Sequence, residues 1–509
     1  MNNRSNSIKI NYFFNLFASI ITLIVSFVTA PYVSRVFNAS VLGVNSYIST
    51  VSNIFVIVST FGFYVYGQRE ISKCLNDCEQ ISKVFWNVFF VRLVLTALCS
   101  LIYIFIYLFS DRNPLYIIYL FSIIHVALDC GFLFAGLQKF RLISIVTIIV
   151  KIVSCASIFL FVRNVNHIWI YAIITVFNLF ASSIFIFFAC FGTVHFVKFR
   201  DLDVKKTFTN SFKLFLPTIA ISIFTLFDKL FIQWLSFGTT TLIIDGVETS
   251  VSVASMESGF YLQADNIISI CLTIIYSLQT VMISRNSEEL KKGNSSVVLQ
   301  NIYRANRFIS FLTIPMMIGL LIVSPCFCNV FFGNGYEKCS TLLQIASVSF
   351  LFSGFHSMIG NHYLIASGKE RLYTISLFAG GIINILLNLA LIPFFGSVGA
   401  MIGTVIGKAS ISLAVFVLTR KELRHKSYLF NYIKCFIPAA FMACVLILEW
   451  VFLFKQQSSI SALCVLIISG AFIYLCVTTM IKGNVIKDEW NNYFYKIIKI
   501  IKKTRNNYV

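Results

Sequence analysis

Charge is scarce in this chain. Of its 509 residues, 12% are Asp, Glu, Lys or Arg, roughly half the share found in soluble domains. With 58% hydrophobic residues and a mean hydropathy of +0.85, the scarcity excludes a soluble globular protein. Acidic residues are rarest, 20 against 40 basic ones. No HExxH, Walker A loop or serine or cysteine nucleophile signature occurs, so hydrolytic and ATP-driven chemistry has no residues to carry it. The 14 cysteines are scattered through apolar runs. Cys74 and Cys78 are spaced x3, Cys326 and Cys328 x1, and no second pair stands at zinc-ligand spacing. The reading is therefore no cofactor, no metal site and no enzyme. The histidines, His356 and His362 among them, show no ligand spacing either.

What is abundant is apolar runs of span length, each able to cross ~30 Å of hydrocarbon. They do not alternate as barrel strands would. The expected fold class is an all-α polytopic membrane protein. We read fourteen spans, at about 10–32, 41–66, 84–109, 114–136, 142–162, 167–192, 210–236, 257–283, 305–324, 340–366, 372–393, 397–418, 428–453 and 458–481. The first run follows Arg4 and Lys9, as in a signal peptide. It is longer than the usual apolar region and continues into PYVSRVF without a small-x-small cleavage site, so it reads as a retained span. The longest outer connection is 237–256, SFGTTTLIIDGVETSVSVAS.

With the N-terminus inside, 29 of the 40 Lys and Arg fall in inner segments, five in outer segments and six within spans. That asymmetry predicts both termini in the cytoplasm. It also accounts for most of the +20 net charge without nucleic acid. Residues 487–505, KDEWNNYFYKIIKIIKKTR, place Trp490, Phe494, Ile497, Ile498 and Ile501 on one helical face and lysines on the other. Such a tail is expected to lie on the inner leaflet, against anionic membrane lipid.

A weak internal repeat is present. SRVF (34–37) precedes Gly43-Val-Asn-Ser-Tyr47, and DKLF (228–231) precedes Gly259-Phe-Tyr261. The basic residues are 194 apart and the glycines 216 apart. The expected domains are an N-terminal lobe (1–200), a C-terminal lobe (201–425), two additional spans (426–483) and a basic tail (484–509). Two pseudo-symmetric six-helix lobes with a site between them is a transporter plan.

Polar residues inside the spans are the candidate site. Asn15, Ser19, Thr22, Ser26 and Thr29 lie on one face of span 1. Ser144, Thr147, Lys151 and Ser154 repeat the pattern in span 5, Thr404, Lys408 and Ser412 in span 12, and Ser46, Thr50 and Asn53 in span 2. Such stripes also serve as helix–helix contacts. A mid-span lysine costs several kcal/mol unless it meets water or a partner, so Lys151 and Lys408 favour a wet cavity. Lys213 and Lys434 lie near inner ends and can snorkel; Arg92, a turn from an inner end, can snorkel or line a cavity. Asp129 is intramembrane too. Asp228, Lys229 and Asp265 sit below the outer surface. Adjacent helical residues diverge by about 100°, so Asp228 and Lys229 do not pair. Lys229 facing Asp265 is one arrangement, a purely structural ion pair another. Arg35 and Lys229 occupy matching repeat positions and are expected to face one cavity. Gly399, Gly403 and Gly407 form a GxxxGxxxG packing run.

PYVSRVF…LGVNSY (31–47), YGQREISK (66–73), FAGLQKF (134–140), FDKLF (227–231), GFYLQADNI (259–267) and IPMMIGLLIVSPCFCNVFFGNGYEK (314–338) resemble the bacterial polysaccharide transporter family. These are the Wzx-type flippases of the multidrug/oligosaccharidyl-lipid/polysaccharide exporter superfamily. The similarity runs the length of the chain; the loop 237–256 is longer than the family pattern. The resemblance implies a MATE-like fold of two six-helix lobes plus two C-terminal helices. It implies an undecaprenyl-diphosphate-linked oligosaccharide substrate, an O-antigen or capsule repeat unit. The unit would cross from the inner to the outer leaflet of the bacterial cytoplasmic (inner) membrane by ion-coupled alternating access. Partners would include the downstream polymerase and chain-length machinery. A diphosphate needs cations in a wet cavity, for which Arg35, Arg92, Lys151, Lys229 and Lys408 are candidates. Asp129, Asp228 and Asp265 are candidate ion-coupling sites. A drug exporter of the same superfamily would favour an acidic cavity. A membrane glycan polymerase or ligase would want a large outer catalytic loop.

Overall fold

The computed structural model describes residues 2–75, 77–197, 202–222, 226–244, 247–277, 286, 289–290, 292–423, 425–454 and 457–480. The tail expected over 484–509 lies outside the described residues. Thirteen helical segments among the described residues are long and apolar enough to cross a membrane. The remaining expected span, 210–236, falls on two shorter helices either side of residues 223–225, which lie outside the described residues.

The helices are α1 (Asn2–Val36), α2 (Ala39–Thr60), α3 (Phe63–Lys73), α4 (Cys78–Phe109), α5 (Leu115–Leu128), α6 (Gly131–Gly136), α7 (Phe140–Phe161), α8 (Ile168–Cys190), α9 (Val204–Ser222), α10 (Asp228–Leu235) and α11 (Val253–Ser277). They continue as α12 (Ser295–Phe331), α13 (Glu337–Ser347), α14 (Ser349–Ile359), α15 (Glu370–Phe395), α16 (Ser397–Thr419), α17 (His425–Leu448) and α18 (Ile460–Met480). A π-helical turn, Gly360–Ile365, extends α14, and another, Glu449–Leu453, extends α17.

The connection after α10 is not an irregular loop. β1 (Thr239–Ile244) pairs antiparallel with β2 (Val247–Ser252), Thr239 opposite Ser252 and Ile244 opposite Val247. The β-branched content of TTTLII and VETSVS suits a two-stranded ribbon. Its Ser and Thr hid that signal.

The chain groups into two compact units, Met1–Gln263 with Asn388–Ala400, and Ala264–Leu387 with Met401–Val509. In unit 1, Asn38 caps α2 by accepting the Val41 N–H at 3.0 Å. α2 ends where Phe61 (φ 39°) and Gly62 (φ 72°) turn left-handed, and α3 resumes the same span. A Cβ on Gly62 would stand 2.7 Å from the Ser211 carbonyl oxygen, so glycine there serves both the turn and the approach of α9. Asp77 caps α4 through the N–H groups of Glu79 and Gln80, both at 3.0 Å. Aromatic cores fill the unit, one around Phe63, Phe85, Trp86 and Phe132 and one around Tyr103, Tyr116 and Tyr119.

In unit 2, α12 packs along α17 through buried polar ties. Asn431 Nδ2 donates to Asn306 Oδ1 at 2.9 Å, and Tyr474 of α18 donates to the Phe311 carbonyl at 3.0 Å. Lipid offers no hydrophobic drive between helices, so such ties and close packing hold a bundle together. Gly470 of α18 lets the Leu446 side chain of α17 lie close, 3.2 Å from where a Cβ would stand.

Candidate functional site

The two repeat glycines meet in unit 1. A Cβ on Gly43 would lie 1.6 Å from the Ser255 carbonyl oxygen, and one on Gly259 would lie 1.8 Å from the Ala39 carbonyl oxygen. The contact is reciprocal: each glycine of one helix faces the residue four positions before the other glycine. Ala39 and Ser255 are also 216 apart, the separation of the glycines. α2 and α11 therefore touch backbone to backbone at their N-terminal ends, and glycine is required on both sides.

Two residues along α11 from Gly259, Tyr261 reaches the residue that stands out in LFDKLFIQWL. Asp228 is fully buried. Its Oδ2 accepts the Tyr261 hydroxyl at 2.5 Å, and its Oδ1 accepts from Asn388 Nδ2 of α15 at 2.5 Å. A buried carboxyl needs such partners whichever protonation state it holds. Its neighbour Lys229 is half-buried, as the divergence of adjacent helical residues requires. Asp265 is also half-buried, on α11.

A second buried acid went unread in the sequence. Glu257 accepts from Ser397 N at 2.8 Å and from Ser397 Oγ at 2.5 Å, at the start of α16. Gly396 (φ 57°) makes the turn that brings α16 to it. A carboxylate at a helix N-terminus is favoured by the unsatisfied N–H groups there. Only the proximity of Glu257 to Gly259 in the sequence hinted at it; its partner lies 140 residues away.

Arg92 and Asp129 come together elsewhere in unit 1. Span 4 breaks between α5 and α6, and Asp129 occupies the break. Its Oδ1 accepts the Gly131 N–H at 3.1 Å. Arg92 Nη1 donates to the Asp129 carbonyl, Nη2 stands 3.9 Å from Oδ2, and the guanidinium sits over the Phe132 ring at 5.6 Å. Arg92 is 1% exposed. A cation at the C-terminal end of α5 meets the carbonyls the break releases.

The polar stripes divide. On α7, Ser144 and Ser154 are buried, and Ser154 accepts from Asn178 Nδ2 of α8 at 2.8 Å, while Lys151 of the same stripe is half-buried. On α16, Ser412 donates to the Phe352 carbonyl at 2.9 Å, Thr404 stands 3.5 Å from Asn384 Nδ2, and Lys408 is half-buried. On α1, Thr22 and Thr29 bond back to the carbonyls of Ala18 and Val25, both at 2.9 Å, and Ser19 and Ser26 are exposed. Arg35 is exposed in the last turn of α1. The side chain of Asn15 lies outside what is described. Among the described residues no cluster of three His, Cys, Asp or Glu side chains could hold a metal ion.

The family pattern of polysaccharide biosynthesis proteins matches residues 8–288, more than half of the chain. The chain belongs to that family. A Shigella dysenteriae protein named "Putative O-antigen transporter" is 21% identical over 399 residues, 76% of this chain and 93% of the relative. The lipid II flippase MurJ of Bacillus subtilis (strain 168) is 23% identical over 283 residues, 50% of this chain and 51% of that one. Among solved structures, MurJ in an inward closed conformation superposes with a TM-score of 0.67 at 17% identity, covering 93% of this chain and 98% of that one. An inward-facing MATE multidrug transporter superposes at 0.60 and 12% identity, covering 79% and 93%. These structural likenesses establish the MATE-like fold.

Proposed function

We propose that this protein is a flippase for undecaprenyl-diphosphate-linked oligosaccharide repeat units. It moves O-antigen or capsule units from the cytoplasmic to the outer leaflet of the bacterial inner membrane. The observation that carries this reading is a pair of mid-span cations: Lys151 and Lys408 lie half-buried in α7 and α16 of a chain from this family. Each cation at that depth needs water or an anion, and a diphosphate supplies the anion. Arg35 and Lys229 serve the same cargo in the outer half. Serine and threonine hydroxyls, Ser19, Thr22 and Ser26 among them, and Asn15 offer partners to sugar. The lipid tail stays in the bilayer.

Transport proceeds by alternating access between lobes 1–200 and 201–425, with 426–483 as two additional spans. The Gly43–Gly259 contact acts as the outer seal. It must part for the glycan to leave. Asp228 is the favoured ion-coupling group. Burial with two hydrogen-bond donors lets a proton or cation change its charge at a strategic depth, where Asp129 is engaged with Arg92 and Asp265 is less enclosed. Both termini are cytoplasmic, and the downstream polymerase receives the product.

The test is flipping of a fluorescent polyprenyl-diphosphate oligosaccharide in proteoliposomes. Lys151→Gln and Lys408→Gln should abolish flipping while folding is retained. Full flipping by both variants overturns the cavity assignment. Drug efflux without flipping overturns the substrate.

A further inference from the structure

α12 is longer than a span needs. Its 37 residues extend about 55 Å at 1.5 Å per residue, whereas its apolar stretch begins near residue 305. By the Lys and Arg asymmetry of the sequence, the turns before that stretch belong to the inner boundary of the membrane. There, between α12 and the first turn of α17 in unit 2, lies a recess of about 620 Å³. Gln300 and Arg304 line it one turn apart, with Arg307 a further turn along and Tyr303 beside them. Ser427 and Tyr428 close it from α17.

Three features make this a built site. Among the described residues its lining carries two guanidinium groups and no carboxylate. Polar bonds tie the two helices beside it: the Tyr303 hydroxyl donates to Asn431 Oδ1 at 3.3 Å, and Asn431 in turn holds Asn306 at 2.9 Å. Its walls are aromatic at the level where such rings favour the interface, with the Tyr303 and Tyr428 rings 6.3 Å apart. Guanidinium pairs with nearby hydroxyls and an amide match phosphate oxygens. Basic pockets between helices on the inner side are where lipid phosphates bind.

We propose that this recess binds the phosphate headgroup of an inner-leaflet lipid, its chains running down the outer surface of α12 and α17. The site is separate from the mid-span lysines and does not need the flippase reading. Two sources share the chemistry, a resident anionic phospholipid and an incoming polyprenyl diphosphate.

The experiment is native mass spectrometry of the full chain with phosphatidylglycerol, with undecaprenyl diphosphate and with phosphatidylcholine, comparing wild type with Arg304→Gln/Arg307→Gln. The double variant should bind at least one of the two anionic lipids ten-fold more weakly, and Arg304→Lys/Arg307→Lys should recover part of that loss. Loss for phosphatidylglycerol alone identifies a resident lipid; loss for the diphosphate alone identifies a loading station; loss for both identifies a shared site. Unchanged binding of both overturns the proposal. Should the variant not fold, Ser427→Cys in the otherwise intact protein gives the second reading. Its maleimide labelling should slow with an anionic phosphate lipid and not with zwitterionic phosphatidylcholine, and equal labelling under all conditions overturns the site.

Discussion

Gly43 and Gly259 occupy equivalent positions in an internal repeat and press their backbones against each other's helix. A side chain on either collides with a carbonyl at less than 2 Å, closer than packed atoms approach. Gly43→Ala and Gly259→Ala should each force α2 and α11 apart, at a cost of about 1–3 kcal/mol for overpacking. An impermeant thiol reagent added outside should then label Ser255→Cys faster in the alanine backgrounds, and flipping should fall about ten-fold or more. Unchanged labelling and flipping would show that the contact is not the outer seal.

Asp228 should be an ion-coupling group that tolerates amide replacement structurally. Asp228→Asn preserves volume and most hydrogen bonding, so the melting temperature should change little. Asp228→Ala strands the Tyr261 hydroxyl and the Asn388 amide at a cost of about 1–3 kcal/mol. Both variants should lose the dependence of flipping on an imposed ion gradient. If gradient-driven flipping survives in Asp228→Asn, coupling resides elsewhere.

Arg92 should behave as a structural residue. Arg92→Met removes the cation from the end of α5 and leaves the Asp129 carbonyl and carboxyl with one partner fewer. The expected loss is about 1.5–3 kcal/mol, the range for a hydrogen bond made by a charged group. Purified yield and melting temperature should drop, while the surviving protein binds substrate normally. Normal stability with weakened substrate binding would return Arg92 to the cavity.

Glu422 supplies a pH test outside the membrane. Hydrogen bonds from Lys369 and then Tyr363 hold its carboxyl below the ordinary value of 4.5. A depressed native pKa contributes stability that is present above the unfolded value and is lost as pH falls through the native one. The group is 39% exposed, so solvent screening limits the contribution to about 0.2–1 kcal/mol. Glu422→Gln should lower the melting temperature slightly at pH 7 and leave it unchanged well below pH 4. An equal loss at both pH values would remove the ion pair as the cause.

Much of this architecture was legible because lipid demands long apolar runs, and long runs survive as helices. The repeat was legible because two glycines and a basic residue recur at related spacings, and the Gly43–Gly259 contact explains why glycine is kept at both. What stayed hidden depends on distant partners. The carbonyl freed at the Asp129 break is met by Arg92, a residue on another helix. Asp228 is held by Asn388, 160 positions away, and no local pattern announces that pairing. Glu257 was missed for the same reason, being matched to Ser397. The strand pair Thr239–Ile244 and Val247–Ser252 is hard to read in the sequence because polar composition masks its β-branched residues.

The most direct measurement is the sidedness of lipid-linked glycan in cells lacking the gene. An impermeant probe would label saccharide in intact and in lysed cells. The account predicts glycan reachable only after lysis, with outer-face labelling restored by the gene and not by its Lys151→Gln variant. Normal outer-face labelling without the gene would contradict it.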